Sequence, residues 1–65
     1  MLNDKQKQIL KRLEELYEAQ RPFVEAVSAD VANANPVSFA ELEAYGKRAD
    51  EIASLHAELI ASMKG

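Results

Sequence analysis

Cysteine and tryptophan are absent from this 65-residue chain, glycine and proline occur twice each, and histidine occurs once. Without cysteine there is no disulfide to staple a small fold, and His56 alone cannot assemble a structural zinc site. Gly46 stands far from Gly65, so no glycine-rich phosphate loop is present. No apolar run approaches the ~20 residues a membrane-spanning helix needs. Lys5, Lys7 and Lys11 lead into no hydrophobic segment, which reads as an unprocessed cytoplasmic chain. Catalysis is as poorly supplied. The serines stand at Ser28, Ser38, Ser54 and Ser62 with no base at helical spacing, and the acid pairs Glu14/Glu15 and Asp50/Glu51 are adjacent, hence splayed around a helix. The expectation is a protein that is not an enzyme and takes no metal and no cofactor.

What is present is 48% hydrophobic and 29% charged residues with a net charge of −3, too apolar for a disordered tail. Residues 1–65 form one domain, and a chain this short hides only ~60% of its unfolded surface. Self-association is the stabilising device left to it.

The segment Asn35-Pro36-Val37-Ser38-Phe39-Ala40-Glu41-Leu42 punctuates the chain. Pro36 cannot continue a preceding helix, Ser38 and Glu41 make a capping box, and Val37 with Leu42 makes its staple. Upstream, Asn3 and Gln6 form a weaker capping pair, followed by Ile9, Leu13, Leu16, Phe23 and Val27 at helical spacing, with Gln20 the skipped position. A second row, Leu10, Tyr17, Val24 and Val31, widens that face. Pro22 falls on the outer side, and the rhythm keeps phase across it, so a kink is expected there and not a break. Asn33 and Asn35 suit the left-handed conformation that closes helices. Downstream, Leu42, Tyr45, Ala49, Ile52, His56, Leu59 and Met63 form the inward row, flanked by Leu55 and Ile60 and ended by Lys64 and a flexible Gly65. Gly46 is explained by a close approach beside Phe23 and Val24.

The predicted fold is all-α: helix 1 over about 4–33 with a kink near Pro22, helix 2 over about 39–63, antiparallel across a connection of about four residues. A thin hairpin leaves its apolar stripe uncovered, so a four-helix-bundle homodimer is expected, with Leu13, Leu16, Tyr17, Phe23, Val27, Tyr45, Ile52, His56, Leu59 and Met63 at the oligomer interface. Residues 1–13 carry one acid against four bases, a charge of +3, which leaves −6 for the rest of a −3 chain. A head-to-tail dimer sets each basic end beside the partner's acidic turn.

Two ligand sites compete with this reading. Lys5, Lys7, Gln8, Lys11 and Arg12 are the candidate nucleic-acid contact, opposed by Glu14, Glu15, Glu18 and Glu25 on the same helix. Arg21 and Arg48, near Tyr17, Gln20 and Tyr45, are the candidate site for a small anionic, nucleotide-like ligand; the simpler reading pairs both arginines with neighbouring acids. His56 reads either as a pH-sensitive interface residue or as a structural histidine bonded to a tyrosine, carboxylate or carbonyl. In length and layout the chain resembles the small dimeric hairpins typified by plasmid Rop-type RNA-binding regulators, without a shared residue motif. That resemblance implies RNA binding and carries over no functional residue. The leading functional expectation is a non-catalytic, self-associating regulatory module, phage- or plasmid-like in its economy, that contacts a protein partner.

Overall fold

Asn3 opens the first helix. Its side-chain oxygen accepts from the Gln6 amide at 2.8 Å while Gln6 Oε1 accepts from the Asn3 amide at 2.9 Å, a complete capping box. In the computed structural model, which describes residues 1–64, helix α1 runs Asp4–Ala32 and helix α2 runs Phe39–Lys64, with no strand among the described residues. Gly65, the expected flexible ending, lies outside the described residues.

The two caps reverse their expected ranking. At α2 the Glu41 amide donates to Ser38 Oγ at 3.4 Å, and no return bond to the Glu41 carboxylate is formed among the described residues. Glu41 lines a cleft shared with Arg48.

Pro22 lies inside α1 and is exposed, and the helix is unbroken across it. An outward position leaves the unpartnered backbone of that turn open to water.

The turn closes on Ala34, not on either asparagine. Ala34 has φ 56°, the Asn35 amide donates to the Asp30 carbonyl at 2.8 Å, and the Ala34 amide donates to the Val31 carbonyl at 3.3 Å, which together make a Schellman motif. Asn35 precedes Pro36 and is pushed toward extended backbone, while Asn33 spends its side chain on the Ala29 carbonyl at 2.8 Å. The left-handed residue is therefore the alanine between them.

The helices meet along a strict three-four repeat. On α1 the inward positions are Gln6, Ile9, Leu13, Leu16, Gln20, Phe23, Val27 and Asp30, all buried or half-buried. Gln20, expected to be skipped, belongs to this row and is buried. On α2 the row is Tyr45, Arg48, Ile52, Leu55, Leu59 and Ser62, each half-buried. This differs from the expected row: Leu42, His56 and Met63 are exposed, and Arg48, Leu55 and Ser62 take the inward positions. Cross-helix contacts fix one antiparallel register: Gln6 Nε2 donates to Ser62 Oγ at 3.0 Å, Arg48 Nε donates to Gln20 Oε1, and Phe23 stacks on Tyr45 with centroids 4.7 Å apart. That register sets Leu16 opposite Ile52 and Leu13 opposite Leu55.

A single hairpin buries little. Only Ile9, Leu13 and Leu16 are buried hydrophobic residues, and α2 has no buried residue among those described. The molecule measures 47 × 16 × 15 Å, with a radius of gyration of 15.1 Å against ~11 Å for a compact chain of this length. Its accessible surface is 5012 Å², roughly 900 Å² more than the ~4,100 Å² typical of a compact 7.2 kDa monomer. Gly46 is not a close-approach glycine, because a Cβ there meets nothing within 4 Å. Within one chain it only costs helix stability, about 1 kcal/mol relative to alanine.

Candidate functional site

The inward rows give the hairpin two long edges of opposite character. Along one, Arg12 reaches across to Glu51 with paired bonds of 2.7 and 3.0 Å, and Lys5 lies 3.5 Å from Glu58. Bidentate bonding from Arg12 holds the Glu51 carboxyl below its ordinary value, and the same bond, with the attraction of the carboxylate, raises Arg12. Toward the turn this edge continues through Ala19, Ala26 and Ala44 beside Pro22. It is an ion-paired, small-residue seam.

The other edge is apolar. Leu10, Tyr17, Val24 and Val31 of α1 are exposed, and α2 sets Leu42, His56 and Met63 along the same side. Tyr17 and His56 bridge it: the Tyr17 hydroxyl lies 2.8 Å from His56 Nε2, and the rings meet edge-on with centroids 6.4 Å apart. Open clefts flank this bridge. One, of about 600 Å³, is lined by Tyr17, Gln20, Arg21, Val24, Glu25, Tyr45, Ala49 and Ile52. The other, of about 420 Å³, is lined by Leu10, Leu13, Glu14, Tyr17, Glu18, His56 and Leu59.

The residues expected at an oligomer interface divide between these environments. Leu13 and Leu16 are buried by α2 of the same chain, and Phe23, Val27, Tyr45, Ile52 and Leu59 are half-buried in the same seam. Tyr17, His56 and Met63 remain exposed. The structure adds Leu10, Val24, Val31, Phe39, Leu42 and Ile60 as large exposed apolar residues. Phe39 and Ile60 sit on a second repeat of α2 whose three-four spacing is present in the sequence and is hidden there by the stronger first row.

The two arginines of the anion-site expectation are separated. Arg21 pairs with Glu18 at 2.9 Å and lines the cleft beside Tyr17, while Arg48 bonds Gln20 and lines the opposite cleft with Glu41. Gln20 also donates to the Tyr45 carbonyl at 3.1 Å, so its buried amide is engaged at both ends. Of the candidate nucleic-acid contacts, Lys5 and Arg12 are turned to acids of α2, Lys11 lines a cleft with Glu14, Glu15 and Glu18, and Lys7 and Gln8 are exposed. No group of three His, Asp or Glu side chains converges to hold a metal among the described residues. No helix among them is long and apolar enough to cross a membrane.

Fold and edges together define an antiparallel helical hairpin with one side ion-paired across the two helices and another on which exposed apolar residues stand beside charges of α1. No protein-family model, curated protein or solved structure matches the chain. The functional reading therefore rests on the geometry of these two edges.

Proposed function

We propose that this chain is a non-catalytic, self-associating module, two hairpins closing head to tail into a four-helix bundle that presents its outer faces to a protein partner. The observation that carries the reading is the excess of roughly 900 Å² of surface over a compact monomer, close to the ~800 Å² that each partner contributes to a standard stable interface. The same molecule leaves Leu10, Val24, Phe39, Leu42, Ile60 and Met63 exposed, while the core of the described residues holds three buried hydrophobic residues. Head-to-tail packing brings Lys7 and Lys11 of one protomer toward the partner's acidic turn, where Glu41 and Glu43 lie.

The alternatives lose support for stated reasons. Nucleic-acid binding through the basic end keeps Lys7, Gln8 and Lys11, while Lys5 and Arg12 are engaged by Glu58 and Glu51. Capture of an anionic ligand needs Arg21 and Arg48 together, and they line different clefts.

Light scattering on the purified chain tests the proposal. The expected mass is twice the 7.2 kDa of one chain, with a melting temperature that rises with chain concentration. A cooperative, concentration-independent transition at the mass of a single chain would overturn it.

A further inference from the structure

About a quarter-turn around α2 from its inward row lies a second strict repeat of threes and fours. It starts with Phe39 and Leu42, is small at Gly46, Ala49 and Ala53, and finishes through His56 to Ile60 and Met63. No residue on it is an acid, lysine or arginine. Its bulky members are bare: Phe39 is 76% exposed, Met63 68%, Ile60 53% and Leu42 50%.

We infer that a second copy of this chain lays its α2 antiparallel across this face, with Gly46 of each protomer facing the partner's His56. The inference rests on the self-association proposed above and specifies the surface used. The repeat complements itself when reversed about residue 51: Phe39 meets the partner's Met63, Leu42 meets the partner's Ile60, and Ala49 meets the partner's Ala53. Large residues pack against each other at both ends, two alanines bring the helices close in the middle, and the imidazole of His56 falls opposite the one residue without a side chain. The empty space around Gly46 then has an occupant, and the cost of a glycine within the helix has a use.

Charge accommodates the same orientation. Flanking the repeat, reversal about residue 51 leaves Glu43 five residues along the axis from the partner's Lys64, roughly 7.5 Å and within the span of two long side chains, twice by symmetry, and within its own chain Glu43 pairs with the exposed Lys47 at 3.8 Å. The α1 helices agree independently. The hairpin register sets Tyr17 level with Glu51, and reversal about Tyr17 matches Leu10 with the partner's Val24 and leaves Glu14 one residue from the level of the partner's Arg21. One two-fold axis thus satisfies both helices.

The chain lacks cysteine, so single cysteines report pairing cleanly. An equimolar mixture of Ala49→Cys and Ala53→Cys chains should form the mixed disulfide in preference to either homodimer, because only the mixed pair lies directly opposite. Separately, Gly46→Leu should raise the dimer dissociation constant roughly a hundredfold while leaving helix content intact, and Ser54→Leu, on the opposite side of α2, should not. A dimer that Gly46→Leu leaves unchanged, or that cross-links Ala49→Cys to itself as fast as to Ala53→Cys, overturns this face and leaves self-association standing. A wild-type monomer removes both.

Discussion

Replacing Ala34 by glycine should stabilise the protein. Ala34 is the one non-glycine residue with positive φ among those described, at 56°, and it holds the Schellman turn that ends α1. For a residue with a Cβ, left-handed backbone costs about 1–2 kcal/mol. Glycine removes that strain but adds about 0.4–1 kcal/mol of unfolded-state entropy. The difference favours Ala34→Gly by about 0.5–1 kcal/mol, and in a domain this small each kcal/mol moves the melting temperature by about 4–8 °C. Thermal melts followed by far-ultraviolet circular dichroism, at one fixed chain concentration, should show a rise of roughly 2–8 °C. Ala26→Gly is the companion measurement, because Ala26 lies inside α1 in helical backbone and should lose about 1 kcal/mol. The substitutions are chemically identical and must have opposite signs. A fall at Ala34, or the same sign at both positions, refutes the assignment of the left-handed residue.

Leu16→Ala removes the most buried hydrophobic side chain, 2% exposed, and should cost about 2–4 kcal/mol; an unmoved urea midpoint would contradict its place in the core. Gln20→Leu alone should destabilise by stranding half-buried Arg48, whereas adding Arg48→Leu should restore or exceed wild-type stability, with urea titration of all four combinations showing strong non-additivity. Additive effects there would mean that the polar layer is not a unit. The Glu51 carboxyl is held below its ordinary value by Arg12, so its contribution is complete above the usual carboxylate range and is lost as pH falls through the lowered value. Glu51→Gln should therefore flatten the acid limb of melting temperature against pH, and an unchanged limb would show that the pair contributes nothing.

The hairpin and its boundaries were legible because punctuation and rhythm coincide. Asn3, Pro36 and Ser38 delimit two segments, and Ile9, Leu13, Leu16, Phe23 and Val27 repeat with the spacing that α1 turns inward. The phase of α2 was not legible, and the reason lies in three polar residues. Gln20, Arg48 and Ser62 occupy the inward rows, where a reading by hydrophobicity discards them one at a time. Each is acceptable there because of its partner across the seam: Gln20 with Arg48 and with the Tyr45 carbonyl, Ser62 with Gln6. Such matching depends on register, which no single residue discloses. With those positions discounted, Tyr45, Ile52 and Leu59 join most naturally with Leu42, Ala49, His56 and Met63, a row that straddles two real faces.

Two apolar stripes on α2 could each have met α1, and the magnitudes indicate what decides between them. Turning the stripe of Leu42, Gly46, Ala49 and Ala53 inward would set Gln6 and Gln20 against side chains with no matching groups. Each stranded buried amide would cost about 1–3 kcal/mol. The exposed pairs Arg12–Glu51 and Lys5–Glu58 are screened by solvent and contribute far less than a stranded buried amide costs. The buried polar layers therefore dominate and the ion-paired edge follows from the phase they set. The same choice expels Phe39, Leu42, Ile60 and Met63 to the surface, so the residues that fix the hairpin also create the face on which a second hairpin can sit. Relieving that polar demand by substituting leucine at Gln6, Gln20, Arg48 and Ser62 together should stabilise the helices while letting α2 rotate. Amide spectra would then show more than one set of signals for His56, and a single set would mean that apolar packing alone fixes the phase.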